Sequence, residues 1–361
     1  MICPNCSTEL KRTERTGQVC SHCHRRFALD PKRHGLGMHD LRIRRCVESI
    51  TDGGRLQVTV TQLWYHSRTR SSAWSAREAR GIRPGIRWTA AWAVCAALLV
   101  CGARTTGALT ALAWGGIVAV LLVAGRIPYE SALRAGWWIS PAEEPFRQMM
   151  TGAWKQAYGA LPVGVVNDER FTPRPTRPQP TSPKAVLLCT DRAVAVFLRA
   201  NDFPLRLGAV LVEAEPESAH DALVKVPGTL PVVLLHDASA LGALLAPLLR
   251  IAHPERTVVD AGLPVTVVRR RKGAVHRISP VPGVDAEQLR AVAGLSEEDA
   301  VWLAEGFWSP IAAVPPPLLA TVVEEAVERA VASTGARPDS APAYGFLTWP
   351  DTPGTKGAPT T

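Results

Sequence analysis

Two apolar stretches dominate the hydropathy pattern. Trp88–Ala103 carries no charged residue, Arg104-Thr105-Thr106 interrupts it, and Gly107–Ala124 is again uncharged. The segments are 16 and 18 residues long, which as helices reach roughly 24–27 Å. That is slightly short of a hydrocarbon core ~30 Å thick, a gap that interfacial Trp and Arg or local thinning closes. A helical hairpin buried in a soluble core carries a polar stripe on each helix; neither segment has one. The pattern predicts two transmembrane helices joined by a tight turn, with Gly102, Gly107, Gly115 and Gly116 small enough for close packing.

Polar segments with shorter periodicities flank the hairpin. Asp40–Ser49 predicts a short helix with Leu41, Val47 and Ile50 near one face. Arg55–Trp64 sets Leu56, Val58 and Val60 against Gln57, Thr59 and Thr61, the alternation of a half-buried strand. Ser140–Leu161 places Phe146, Met149, Met150, Trp154, Ala157, Tyr158 and Leu161 at three- to four-residue spacing, an amphipathic helix that lies along a bilayer or packs on the later domain. Thr172–Pro183 holds five prolines, a semi-rigid spacer.

From Lys184 apolar strands alternate with helices. Strands are expected at Ala185–Cys189, Leu207–Val212, Pro231–Leu235, Thr257–Val259 and Val265–Val268, and helices at Asp191–Ala200, Ser218–Leu223 and Ala238–Ile251. Such alternation predicts a mostly parallel sheet covered by helices. Residues 276–335 read as helical, with Asp285/Gln288 and Ser296/Asp299 as helix starts. The expected fold class is multidomain α+β: a zinc ribbon (1–30), a helix–strand extension (31–66), a basic juxtamembrane segment (67–87), the transmembrane hairpin (88–124), a juxtamembrane amphipathic helix (125–171), a Pro-rich linker (172–183), an α/β domain with a mostly parallel sheet (184–275), a helical extension (276–335) and a disordered tail (336–361).

Charge orients this plan. The formal net charge is +9. Residues 1–87 hold 17 Lys+Arg against 7 Asp+Glu (+10), and the remainder 24 against 25 (−1). Arg68, Arg70, Arg77, Arg80, Arg83 and Arg87 precede the first helix, Arg104 alone lies in the turn, and Arg126 and Arg134 follow the second. The positive-inside rule then puts both polar parts in the cytoplasm, as a multi-pass plasma-membrane protein, with Trp88, Trp137 and Trp138 as interfacial anchors. The first 15 residues lack the apolar run of a signal peptide. The basic third suits anionic lipid headgroups, and less well nucleic acid, for which Arg25, Arg26, Lys32, Arg33, Arg42, Arg44 and Arg45 are the phosphate contacts. Richness in Ala, Arg, Gly, Pro and Val fits a high-GC bacterial gene.

The sharpest chemical motif is Cys3-Pro4-Asn5-Cys6 with Cys20-Ser21-His22-Cys23, two Cys-x-x-Cys pairs 13 residues apart. Each pair turns two sulfurs toward one ion, and four thiolates satisfy tetrahedral Zn²⁺. Residues 1–30 resemble a zinc ribbon, which implies a closed, structural zinc at Cys3, Cys6, Cys20 and Cys23. His22 and His24 are not needed as ligands, Leu10 and Phe27 cap the small apolar side, and Cys46, Cys95, Cys101 and Cys189 read as small apolar residues. Disulfides do not suit a cytoplasmic setting.

In parallel sheets ligands bind beyond the carboxyl ends of strands. Asp191, Glu213, Asp237 and Asp260 fall there, and Asp191, Asp237 and Asp260 compose a candidate Mg²⁺ site. In this respect the domain is broadly similar to topoisomerase-primase-type and haloacid-dehalogenase-type domains. It departs from them in lacking Glu after the first strand, Asp-x-Asp and a Gly-rich phosphate loop. Asp191 and Asp237 also serve as helix N-caps. With no nucleophile–base constellation, the sequence favours a non-enzymatic, membrane-anchored scaffold or regulatory protein with a cytoplasmic protein partner, over a divalent-metal-dependent phosphoester enzyme or a nucleic-acid-binding protein.

Overall fold

The computed structural model describes residues 1–34, 38–67, 84–126, 142–172, 180, 182–228, 230–270, 275–278 and 283–334. The chain divides into two compact units, Met1–Trp74 with Ile139–Thr361, and Ser75–Trp138. Arg68, Arg70, Arg77, Arg80, Arg83, Arg134, Trp137, Trp138 and the tail from residue 336 lie outside the described residues.

After the cysteine-rich segment, α1 (Asp40–Ile50) starts at an extended His39, whose side chain accepts from the Arg42 amide. The strand expected over Arg55–Trp64 is instead a two-residue β1 (Val58–Thr59) running into α2 (Val60–His66). The reason is local. Thr59 accepts from the Gln62 amide and Gln62 reaches back to the Thr59 amide, a capping box that converts a β-branched run into a helix start.

The second unit contains α3 (Pro84–Arg104) and α4 (Ala108–Arg126), of mean hydropathy 1.6 and 2.1 over their most apolar windows. Both are long and apolar enough to cross a membrane. Gly107, with φ +72°, turns the chain between them, and a Cβ on Gly102 would lie 3.1 Å from that of Ala113, so the two helices approach closely.

The chain then continues the first unit. α5 (Glu143–Gln148), a π-helical turn over Met149–Trp154 and α6 (Lys155–Tyr158) make one bent amphipathic stretch. Its Phe146, Met150 and Trp154 are buried against Ile43, Val47, Val60, Leu63 and Trp64 of α1 and α2. β2 (Val165–Val166) pairs in parallel with β1, Val58 opposite Val165. Segments before and after the hairpin therefore share one small core.

The remaining residues form a four-stranded sheet. Its elements in chain order are β3 (Ala185–Cys189), α7 (Arg192–Ala200), α8 (Phe203–Arg206), β4 (Ala209–Glu213), α9 (Ala219–Val224), β5 (Val232–Leu235), α10 (Ala240–Ala252) and β6 (Val258–Asp260). The spatial order is β4-β3-β5-β6 and every pairing is parallel, so the sheet matches the expectation from alternation. β3 is buried throughout, as a strand covered on both faces must be. Leu187, Val233 and Leu235 pack with Val194 and Phe197 of α7 on one face; Val186, Leu188, Val232 and Leu234 pack with Leu223 of α9 and Leu245 and Leu249 of α10 on the other. Val265–Val268, expected as a strand, belongs to α11 (Val265–Arg270): the Val267 and Val268 amides donate to the Pro264 carbonyl, and Val265 and Val268, three apart, point inward.

β7 (His276–Arg277), α12 (Ala286–Ala293), α13 (Glu297–Ala304), β8 (Phe307–Trp308) and α14 (Pro316–Thr334) complete the chain. α12 starts at the expected Asp285/Gln288 capping box, and α13 at Ser296, which accepts from the Asp299 amide. Leu319, Val323 and Ala326 of α14 join the α7-side core.

Candidate metal centre and strand-end carboxylates

The two Cys-x-x-Cys turns repeat one backbone pattern. In the first, the Cys3 amide donates to Thr8 O at 2.8 Å and the Ser7 amide to Cys3 O at 3.1 Å. In the second, the Cys20 amide donates to Arg25 O at 3.1 Å and the His24 amide to Cys20 O at 2.9 Å. Amides also point at sulfur: Asn5 N lies 3.4 Å from Cys3 Sγ and Cys23 N 3.5 Å from Cys20 Sγ. Closing each turn puts a non-glycine residue in left-handed geometry, Ser7 at φ 59° and His24 at φ 55°.

The four ligand atoms lie within 4.8 Å of one another. Sγ of Cys3 is 3.8 Å from that of Cys23, and Sγ of Cys6 is 3.8 Å from that of Cys20. A tetrahedron with metal–sulfur bonds of about 2.3 Å has edges of about 3.8 Å, and a disulfide needs about 2.05 Å. The spacing fits a four-thiolate metal centre. Cys3 and Cys20 are buried with Leu10, while Cys6 is exposed. Burial pushes the Cys3 thiol up to about 12. Hydrogen bonds from the Thr8 hydroxyl and amide bring Cys6 down to about 6, so Cys6 offers the readiest thiolate. Four protein ligands leave no open position for a substrate.

Asp40 ties this segment to the body. Fully buried, it accepts from the amides of Ala28 at 2.8 Å and Leu29 at 2.7 Å, and from the Tyr158 hydroxyl. Arg44 donates to Pro4 O at 3.2 Å and stacks over the Tyr158 ring at 4.8 Å. Arg147 does the same work one layer on. Buried, it reaches Asp168 Oδ2 at 3.0 Å, Glu143 at 2.9 Å, Glu169 at 3.0 Å and Thr61 Oγ1 at 2.7 Å.

Each strand-end acid is engaged separately. Asp191 caps α7, accepting from the Val194 amide at 2.8 Å. Asp237 is not the expected N-cap: Ser239 caps α10, accepting from the Gly242 amide at 3.0 Å, and Asp237 instead accepts from the Ile311 amide at 2.7 Å. Glu213 pairs with Arg192 and Arg199. Asp260 accepts from the Gly262 amide at 2.9 Å and pairs with His236 Nε2 at 3.0 Å. Asp191 and Asp237 follow adjacent strands. Burial, reinforced by the Asp237 charge, raises Asp191 to about 7, and burial raises Asp237 to about 6.

His236 directly precedes Asp237 in the chain, and the fold sets it between two acceptors. Its Nδ1 lies 2.7 Å from Asp237 O and its Nε2 3.0 Å from Asp260 Oδ1. Both neighbours are acceptors, a setting that favours the charged imidazolium with a proton on each nitrogen. Burial opposes that charge, but Asp260 outweighs it and raises the pKa. Gly242 and Gly262 flank the ring so closely that a Cβ on either would overlap it. The pairing depends on β5 and β6 being neighbours, which nothing local to His236 encodes.

No family model matches the chain, and no curated protein or solved structure is significantly similar to it.

Proposed function

We propose that this is a membrane-anchored protein whose body faces the cytoplasm, held by the α3–α4 hairpin and stabilised at its N-terminus by a structural zinc ion on Cys3, Cys6, Cys20 and Cys23. Zinc suits four thiolates in a closed tetrahedron, where it supplies folding energy and no catalysis. The observation that carries the topology is the packing of residues 28–67 against 142–166 in one core. A hairpin whose two flanks fold together enters and leaves the bilayer on one side. The arginines before α3, against Arg104 alone in the turn, support the cytoplasm as that side. Anionic headgroups are the partners of that basic flank, and the α/β body is a binding or scaffold surface for a cytoplasmic protein.

The test is carbonate extraction of isolated membranes, with T105C labelled by an impermeant maleimide in a C101S background. Resistance with labelling from outside supports the hairpin. Ready extraction overturns it.

A second reading, divalent-metal phosphoester chemistry, draws on one observation: Asp191 and Asp237 follow adjacent strands, both are raised by burial, and the Asp237 charge adds to the shift at Asp191, as carboxylates awaiting a cation do. Mg²⁺-dependent hydrolysis of a phosphoester, lost in D237N, is its test.

A further inference from the structure

A second imidazole cluster lies away from both the cysteines and the strand-end acids. His220 sits in the first turn of α9, and His253 is the C-cap of the thirteen-residue α10. His220 Nδ1 lies 3.1 Å from His253 Nε2. On the other side of the His253 ring, Nδ1 is 3.4 Å from Glu255 Oε1. His253 is buried, His220 is exposed and Glu255 is half-exposed.

The geometry points to His220 and His253 as a two-histidine site for a divalent transition-metal ion, with Glu255 orienting His253. Two nitrogens bound to one ion at about 2.0–2.1 Å are about 3.3–3.4 Å apart in a tetrahedron and about 2.8–3.0 Å apart when cis in a square plane. The observed separation falls between these. Without metal the pair is a hydrogen bond. Glu255 near Nδ1 favours the His253 tautomer that carries its proton there, which leaves Nε2 as the acceptor and His220 Nδ1 as the donor. Binding requires His220 to move that proton to its own Nε2 and its exposed ring to tilt so that both lone pairs meet at one ion, which leaves two neutral imidazoles facing it. A carboxylate on the far nitrogen of a metal-binding histidine is the arrangement that holds its tautomer and raises its basicity.

Electrostatics favour a cation at this place. α10 directs its negative end at His253, and Glu255 adds a full charge. Arg256 is the opposing charge. It shares Glu255 with His253, its Nε lying 3.6 Å from the same Oε1, while its Nη2 donates to Leu223 O at 3.2 Å and Val226 O at 2.6 Å. Because His220 is exposed, water completes the coordination. Imidazole donors select zinc, nickel or copper over magnesium or calcium.

The experiment uses untagged full-length protein in detergent, its cysteine centre already loaded with zinc, titrated with Ni²⁺ by calorimetry. One further equivalent is expected. H220Q, a surface change that leaves the thermal midpoint in place, is expected to weaken it by tenfold or more, and E255Q by about 10–100-fold. No further equivalent in the wild type, or the same affinity in H220Q, overturns the site. An unchanged affinity in E255Q removes Glu255 from it.

Discussion

The hydroxyl of Thr61 lies 2.8 Å from Oδ2 of Asp168, a residue 107 positions later on the other side of the hairpin. Arg147 closes the contact by reaching both. The α3–α4 hairpin is thus inserted, along the chain, between two parts of one folded unit. Replacing Arg147 with Ala strands the buried Asp168 carboxylate. A loss of about 3–5 kcal/mol is expected, the usual cost of removing one partner of a buried pair. Urea unfolding of the solubilised protein measures it. A loss under 1 kcal/mol would mean the network is only decorative.

The cysteine centre should respond to pH in one direction. Metal needs thiolates, so protons compete with it. Cys6 is available from about 6, but Cys3 is held up at about 12 until metal binds. Binding is therefore expected to release protons and to tighten as pH rises from 6 to 8. Metal release to a chromogenic chelator, followed against pH, reads this directly, and C3S is expected to lose the metal at every pH.

Ser7 and His24 carry left-handed backbone that costs a non-glycine residue roughly 1–2 kcal/mol. Part of that returns through the unfolded chain when glycine replaces them. S7G and H24G are each expected to gain roughly 0.5–1 kcal/mol, seen as slower metal loss to a chelator. Faster loss in both would mean that the side chains, not the backbone, hold the turns.

The α/β body should be most stable on the acid side of neutrality. Asp191 and Asp237 are raised to about 7 and about 6, so their contribution is full below the ordinary carboxylate value near 4 and is lost as pH rises through 6–7. His236 is raised too, and its contribution is likewise lost as pH rises through its folded value. Asp260 is lowered, so it opposes only strong acid. D191N keeps the helix cap and removes the buried charge. It is expected to stabilise by about 1–3 kcal/mol at pH 8 and by little at pH 4. Thermal midpoints across that range decide the matter, and equal gains at both ends would show that the charge is not what costs.

Much of this architecture was legible before any coordinates. Long uncharged runs read as apolar helices, and Cys-x-x-Cys turns are local, so α3, α4 and the cysteine cluster follow from adjacent residues. β3 and β5 are likewise local apolar runs. What stayed hidden depends on distant partners or on competition between signals. At Thr59 the capping box overrode the strand pattern, and at Val265 the preceding proline did. Arg147 sits next to Phe146 on a helix that reads as amphipathic, and nothing nearby says that Thr61 and Asp168 will bury it. The partners of His236 and Asp40 are fixed by strand order and by a helix beyond the hairpin, neither of which is written in their neighbourhoods.

The shared core also sets an order of assembly. During synthesis α1 and α2 leave the ribosome well before Phe146, Met150 and Val165 exist to cover them. Their apolar faces stay open until the hairpin has been made. Under the proposed topology, a copy whose hairpin crosses a bilayer only once strands these two halves on opposite sides, where they cannot meet. Such a copy leaves half a core exposed on each side. The proposed insertion would thereby be proofread by the folding of the residues that flank the hairpin.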